Sequence, residues 1–528
     1  MKRILAMLLV LCCLAALLSG CEQTERKTIV IAMPRGEFIR NMDTNYYIEW
    51  LEQQTGLKLS FVYLDESYTA QSMEKAFSEG DISVEAFFSF DVGGDYLTAL
   101  STLAEYGEKG YILPLESYLD GTTQLEQIFS NFEGYDLRAA MTSPDGSIYF
   151  MPGLDGTRSQ SVGSMLWMNK SWLNDLSLPL ATTAEEFRQV LLAFQTSDPN
   201  GNGQPDEIPL CGSVTPYGQQ SYNVIINAFV YNDPENSRLF VEDGEVHFAP
   251  MTNEWREAIQ YLNGLYTDGL LSPLQFEISE RSMSELAANP RDILGAFTSD
   301  HVTSVLMQNS PEILSSYSHV APLAGPSGVQ LATAKTTLPQ VNGVITANCK
   351  SPEAVFRLFD LMLSNEAFLI GRFGEKDVDW TEAAVTDMDF YGRAASIRVL
   401  NNLQNKMQNK HICELGPFFA YSEYADGVTF TGFESDQEYM NARAQLAYES
   451  FLPKESLGAL LYTGAVSSEA QALRADIDAY TDDCIVSFIT GELDPYDDLA
   501  WDDMLREYGK LGVDELLIAV RDAYMGGN

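Results

Sequence analysis

The sequence predicts an α/β protein whose core sheet is parallel and covered by helices. Three observations carry this: strand, helix and strand patterns alternate through residues 28 to 106, the chain has 528 residues, and 45% of them are apolar. That length and apolar content suit two lobes, each with its own core. Thr28-Ile-Val-Ile-Ala32 is an apolar, β-branched run and reads as the first strand. Asp43 to Thr55 follows as a helix, with Asp43 or Asn45 as N-cap, Tyr47, Ile48 and Leu51 on its apolar face, and Gly56 as the stop. Leu57 to Leu64 is the second strand. The pattern then repeats as a helix around Ser67 to Ser78, a strand from Val84 to Phe90 and a helix from Tyr96 to Tyr106. Further on, Ser164 to Asn169 reads as a strand with Trp167 in the core, and Thr183 to Phe194 as a helix.

Charge narrows the partners. Acidic residues number 75 against 32 Lys and Arg, a formal net charge of −43. Nucleic-acid binding runs on clustered Lys and Arg that release phosphate counterions, so a chain this acidic is excluded from that class. Contact with anionic lipid needs an anchor. Small neutral or cationic ligands stay open.

The first 21 residues, MKRILAMLLVLCCLAALLSGC, supply such an anchor. Lys2 and Arg3 form a basic n-region and Ile4 to Leu18 an apolar stretch of signal-peptide length, too short to span a bilayer comfortably. Leu18-Ser19-Gly20-Cys21 resembles a bacterial lipobox, so residues 1–20 read as a cleaved lipoprotein signal, Cys21 as the diacylated N-terminus and residues 21–27 as the lipidated tether. Two acyl chains hold a soluble body on a membrane where one does so only marginally. The remaining cysteines, Cys211, Cys349, Cys413 and Cys484, are far apart without CxxC spacing, which predicts neither a zinc site, nor a redox pair, nor a disulfide.

Longer segments carry a family resemblance. Thr55-Gly56-Leu57-Lys58-Leu59 after the first helix, Tyr106-Gly107-Glu108-Lys109-Gly110-Tyr111-Ile112-Leu113-Pro114-Leu115, and Trp167-Met-Asn-Lys170-Ser-Trp172-Leu173 resemble the extracellular solute-binding proteins of ABC importers. Tyr261-Leu-Asn-Gly-Leu-Tyr266, Ser351-Pro-Glu-Ala354, Leu358-Phe-Asp-Leu-Met362 and Phe488-Ile-Thr-Gly491 continue it in order to the end of the chain. Together they are similar to the large lipoprotein, oligosaccharide-binding subgroup of family 1. The resemblance implies a two-lobed, periplasmic-binding-protein-like fold of type II, with a hinge between lobes and ligand in the cleft. It places residues 28–158 plus 350–425 in lobe one and 159–349 plus 426–528 in lobe two. It also implies a monomer on the extracytoplasmic face of the cell membrane, delivering ligand to ABC permease subunits on other chains.

Asp198-Pro-Asn200-Gly-Asn202-Gly203-Gln204-Pro-Asp206-Glu207 is the sharpest local motif. Oxygen-bearing side chains fall at loop positions 1, 3, 5 and 9, with Gly at 6 for the turn, the first part of an EF-hand-like loop. Position 12 is Pro209, so the usual bidentate Glu is missing; in the resembling family the Asp-Glu ending, here Asp206-Glu207, supplies that carboxylate. The set Asp198, Asn200, Asn202, Gln204, Asp206 and Glu207 offers hard oxygens, suited to Ca²⁺ in a structural role and not to zinc or copper.

Sugars present hydroxyl pairs and flat apolar faces, which planar polar side chains and aromatic rings recognise. Ligands in open α/β sheets lie beyond the carboxyl ends of the strands. Loops there carry Arg35, Glu37, Asn41, Tyr46 and Tyr47; Asp91; Asp155 and Arg158; and Tyr217. Phe373-Gly-Glu375-Lys-Asp-Val-Asp-Trp380 resembles the family's glycine-rich stretch ending in a Trp near the cleft. Arg35, Tyr46, Asp91, Asp155, Arg158, Tyr217 and Trp380 are therefore the expected ligand residues. A peptide or signalling-ligand receptor on the same fold is the alternative, with charged anchors in place of stacked rings. A carboxylate-based glycosidase is the third reading. Against catalysis stand the four His, at 247, 301, 319 and 411, without HExxH spacing, and the lack of a GxSxG elbow or P-loop.

Overall fold

In the computed structural model the described residues are 26–64, 77, 84–89, 92, 96–133, 135–155, 161–306, 311–403, 406–415, 419–433 and 436–527. Among them the first sheet has strands β1 (Thr28–Pro34), β2 (Lys58–Leu64), β3 (Ala86–Phe88), β4 (Met151–Asp155), β10 (Gln340–Ile345) and β13 (Phe419–Ala420), in the order β13-β4-β10-β3-β1-β2. β2, β1 and β3 pair in parallel, as the strand and helix alternation predicts, while β10 runs antiparallel between β3 and β4.

Local chemistry explains the opening unit. Helix Tyr46–Thr55 starts at Asn45, whose Oδ1 accepts from the Tyr47 N–H at 3.0 Å, and stops at Gly56, where φ is +69° and a side chain would be strained. Tyr47, Ile48 and Leu51 face the sheet, so Tyr47 is a core residue with no solvent-facing ring. Glu52, 6% exposed, accepts the Leu59 N–H at 2.8 Å and pairs with Lys58 at 2.9 Å, tying the helix to β2. Helix Pro352–Met362 belongs to the same core: the Asp360 carboxylate accepts the N–H groups of Gln124 and Leu125, both at 3.0 Å, capping helix Gln124–Asn131.

The second lobe is built on β8 (Ala296–Ser299), β5 (Met165–Asn169) and β9 (Tyr317–Val320), in that order and antiparallel. Trp167 in β5 is fully buried. Helix Asn253–Thr267 buries Trp255, Ala258, Ile259, Leu262 and Leu265, a spacing of three and four that makes one stripe. That stripe packs on helix Ser468–Thr490, and the Trp255 ring meets Trp501 at 5.8 Å. Arg238, wholly buried, reaches Asp482 of the same long helix at 2.5 Å. A hairpin of β6 (Leu239–Glu242) and β7 (Glu245–Phe248) turns at Asp243-Gly244.

Two boundaries differ from the expectation. β10 lies in the first sheet, whereas the resemblance places all of residues 159–349 in lobe two; its partners β4 and β3 precede it by about 190 and about 255 residues, and strands paired that far apart leave no local signature. In addition, β11 (Trp380–Glu382), β12 (Ile397–Val399) and β14 (Val428–Thr429) form a separate small sheet around Phe390, Val428 and Ala442 instead of extending lobe one. Among the described residues the chain passes between the two main sheets twice, between 155 and 165 and between 320 and 340, and after β13 it leaves the first sheet again for helix Gln437–Tyr448, which packs on β9. Cys211, Cys349, Cys413 and Cys484 carry no disulfide, and burial pushes the Cys211 thiol up to about 12.

Candidate ligand cleft and calcium loop

A cavity of about 290 Å³ opens where lobe one, lobe two and the small sheet meet. Lobe one contributes Arg372 and Phe373, at the end of helix Asn365–Phe373, and His411. The small sheet and its loops contribute Phe390, Tyr391, Asn401, Asn402 and Phe430. Lobe two contributes His301, just past β8, with Asp436 and Glu438 at the start of helix Gln437–Tyr448. The Asp436 carboxylate is that helix's N-cap, accepting the Glu438 N–H at 2.9 Å.

Charges face each other across this space. Glu438 Oε2 lies 3.4 Å from His301 Nε2, whose other ring nitrogen is 2.6 Å from Thr303 Oγ1. Burial pushes the Glu438 carboxyl up, but the His301 hydrogen bond and the charges of His301 and Arg372 outweigh it and leave the group below its ordinary value. Arg372 sits at the end of helix Asn365–Phe373 and Glu438 at the start of helix Gln437–Tyr448, two separately folded pieces of the chain. His411, 4% exposed, is driven down to about 4 by burial and by the Arg372 charge.

This last shift sets a pH dependence. The folded value lies below the roughly 6.5 of an unfolded His, so protons bind the unfolded chain first: stability is complete above about pH 6.5 and falls by about 3 kcal/mol as pH drops toward 4. His411→Gln removes this loss. Urea unfolding of both chains at several pH values checks it; parallel profiles would contradict the assignment.

The structure distributes the expected ligand residues unevenly. Tyr46 and the Trp380 loop come together on one rim of lobe one. Lys410 lies 5.3 Å from the Tyr46 ring and pairs with Glu375 at 2.6 Å, beside Asp379. Trp380 is 4% exposed and its indole N–H donates to the Gly374 carbonyl at 3.0 Å. It braces the 374–380 turn and offers no open face here, contrary to the stacking platform expected of a loop Trp. Arg35 is apart from them, with its guanidinium 4.5 Å over the Tyr63 ring at the β2 edge. Asp155 ends β4 and Tyr217 begins a short 3₁₀ turn, but their side chains, together with Cys21, Asp91 and Arg158, lie outside the described residues. Arg372, His301, Asn401 and Glu438 line the cavity without being singled out by any sequence pattern. Each is an isolated polar residue in its own segment, and only Arg372, next to the Phe373 stretch, had any nearby signal.

The loop at 198–207 follows helix Ala184–Thr196 and adopts a turn closed by its own oxygens. Asp198 accepts the N–H groups of Asn202 at 3.1 Å and Gly203 at 3.1 Å, and Asn200 Oδ1 accepts the Asn202 N–H at 3.1 Å. Asp198, Gly201 and Gly203 hold positive φ values of 47°, 66° and 71°. Asp206 accepts from the Asn202 amide at 2.9 Å and from Arg291 at 2.6 Å, which with the Asn200 amide keeps its carboxyl below the usual range. Among the described residues no cluster of three or more His, Cys, Asp and Glu side chains is drawn together as a metal site. The loop nevertheless fits a calcium ion in one respect that the hydrogen bonds leave unanswered: Glu207 Oε1 is buried without a partner, and burial with the Asp198 and Asp206 charges pushes that carboxyl up. A hard cation among Asp198, Asp206, Glu207 and the amide oxygens would satisfy it.

Two α/β lobes, repeated crossings and a polar, aromatic-walled cavity between them define a two-lobed solute-binding-protein fold. No family model matches the chain. The fructooligosaccharide ABC transporter substrate-binding protein FusA of Streptococcus pneumoniae is 30% identical over 287 residues, which is 53% of this chain and about half (50%) of that relative's length. Lipoprotein LipO of Bacillus subtilis is 22% identical over 97% of this chain and 96% of its own. Among solved structures, FusA in complex with kestose superposes with a TM-score of 0.70 at 21% identity, covering 95% of this chain and 99% of that one; an EF-hand mutant of FusA superposes equally well. An HMO-binding, ABC-transporter-associated solute-binding protein of Bifidobacterium longum infantis gives 0.71 at 16% identity, with 95% and 99% covered. FusA and the Bifidobacterium protein are thus substrate- or solute-binding proteins of ABC transporters, and LipO is a lipoprotein.

Proposed function

We propose that the chain is the substrate-binding component of an ABC importer and captures an oligosaccharide or modified sugar between its lobes. The observation that carries this is the cavity shared by both lobes, where planar polar groups (Arg372, Asn401, Asn402, Glu438) stand among aromatic rings (Phe373, Phe390, Tyr391, Phe430). Planar groups match hydroxyl pairs and rings match sugar faces. The fructooligosaccharide-binding FusA, solved with kestose, supports the ligand class. Ligand shifts the open and closed populations by binding the closed form better, with no chemical energy spent.

In this reading the protein is a monomer, not an enzyme, held on the extracytoplasmic membrane face by diacylated Cys21 and presenting its ligand to permease subunits. The lipoprotein relative supports the anchor, and among the described residues no helix is long and apolar enough to cross a membrane. Mass spectrometry of the mature N-terminal peptide checks the anchor. Ca²⁺ occupies the 198–207 loop as a structural ion, a reading supported by the EF-hand of FusA.

The test is a thermal-shift screen of residues 22–528, with calcium, against fructooligosaccharides, other oligosaccharides and peptides. An oligosaccharide at about 100 times its Kd stabilises the chain by about 2.7 kcal/mol. Stabilisation by peptides alone refutes the sugar reading. Labelled oligosaccharides return intact from a receptor and shortened from a glycosidase.

A further inference from the structure

The calcium loop already has a positive charge of its own. Arg291 Nη1 lies 2.6 Å from Asp206 Oδ2, on the acid at loop position 9. The guanidinium comes from a neighbouring segment that is firmly docked: Asn289 Oδ1 accepts the Arg291 N–H at 3.0 Å, the Ile293 carbonyl accepts from Ile208 N–H at 2.7 Å, and the Ile208 carbonyl accepts from Gly295 N–H at 2.9 Å. The backbone is thus anchored to the loop's exit while the Arg291 side chain is 57% exposed. The charge is tethered, yet its side chain can swing out without moving the fold. Its reach is also partial: it compensates Asp206, whereas Glu207 Oε1 remains buried without a partner.

Resting on the calcium reading above, we infer that Arg291 is a built-in counter-cation that holds the loop together when calcium is absent and lowers the loop's affinity for the metal. The Asp198 and Asp206 charges both act on Glu207, and one guanidinium on Asp206 relieves part of this repulsion in the empty state. When a divalent ion arrives, the same guanidinium becomes a like charge a few ångströms away, and Asp206 must share its oxygens. Both effects make binding less favourable than in a loop without the arginine. The site is thereby set to fill only where calcium is abundant, toward the weaker end of the range that such loops span.

Calorimetric titration of the full soluble chain with calcium chloride, together with melting curves in chelator and in saturating calcium, tests this with Arg291→Gln and Arg291→Lys. Arg291→Gln binds calcium about threefold to tenfold more tightly, the size expected for removing one unit charge from beside a divalent ion in a mostly solvated site. It melts below the wild type in chelator and converges on it in saturating calcium, so its calcium-induced shift is larger. Arg291→Lys keeps the charge and stays near wild-type affinity, within about twofold. A wild-type chain that binds calcium, with Arg291→Gln binding equally or more weakly, overturns the inference alone. Absence of binding in both chains overturns the calcium reading itself and the inference with it.

Discussion

Asp198→Asn melts at the same temperature in calcium as in chelator, whereas the wild-type chain gains several degrees from calcium. With the metal at about 100 times its Kd the gain is about 2.7 kcal/mol, rising to about 4 at a thousandfold excess. Asn keeps the shape and, through Oδ1, an acceptor for the Asn202 and Gly203 N–H groups at 3.1 and 3.3 Å, and it tolerates the positive φ of position 198. It loses the charge at the first ligand position and the second acceptor oxygen, which takes the Gly203 N–H at 3.1 Å. Asp198→Ala removes the metal response as well, but it also breaks the turn, so its melting temperature in chelator falls too. Differential scanning calorimetry in the two buffers separates the cases. A calcium shift that survives in both variants would refute a metal at this loop.

Trp172→Ala costs about 4 kcal/mol or more, the largest single-residue effect on stability expected in lobe two. The ring is 1% exposed and meets Phe194 edge to face at 5.1 Å, so its loss opens a cavity of aromatic size, worth about 3–5 kcal/mol. The indole N–H also donates to Asp292 Oδ2 at 3.0 Å, and burial already pushes that carboxyl up. Removing a donor from it adds about 1–3 kcal/mol. Trp172→Phe retains most of the packing and isolates the second contribution. Denaturant unfolding in chelator measures both. Because Phe194 and Asp292 flank the calcium loop, with Asn200 Nδ2 3.4 Å from the Asp292 carbonyl, the Ala variant also weakens calcium binding. An Ala variant within about 1 kcal/mol of wild type would show that the ring is not what seats this corner.

What could be read in advance follows from how local each feature is. The β1, helix, β2 unit carries its own period, cap and stop within forty residues, and Asn45 and Gly56 act where the pattern puts them. The candidate calcium loop is one contiguous decapeptide, so the oxygens it offers could be counted before any geometry was known. β10 could not be placed, since its position between β3 and β4 depends on partners far away in sequence. The cleft is harder still. Arg372, Asn401 and Glu438 converge from three separately folded pieces, and an isolated polar residue in each gives no periodicity to detect. The burial of Trp380 was not legible either, because a Trp ending a glycine-rich stretch gives no sign that its indole N–H will donate to the Gly374 carbonyl.

The crossings between the lobes also govern when folding can occur. Trp255 and Ile259 belong to a core completed by Ile485, Phe488, Trp501 and Leu516, so the stripe on helix Asn253–Thr267 has no cover until a segment more than two hundred residues later has been made. Lobe one likewise waits for β10 before its sheet is continuous. A nascent chain therefore cannot lock either lobe early, and contacts this distant in sequence form slowly. Late closure of both cores leaves the polypeptide without a finished lobe for most of its synthesis, a property set by the order of its strands.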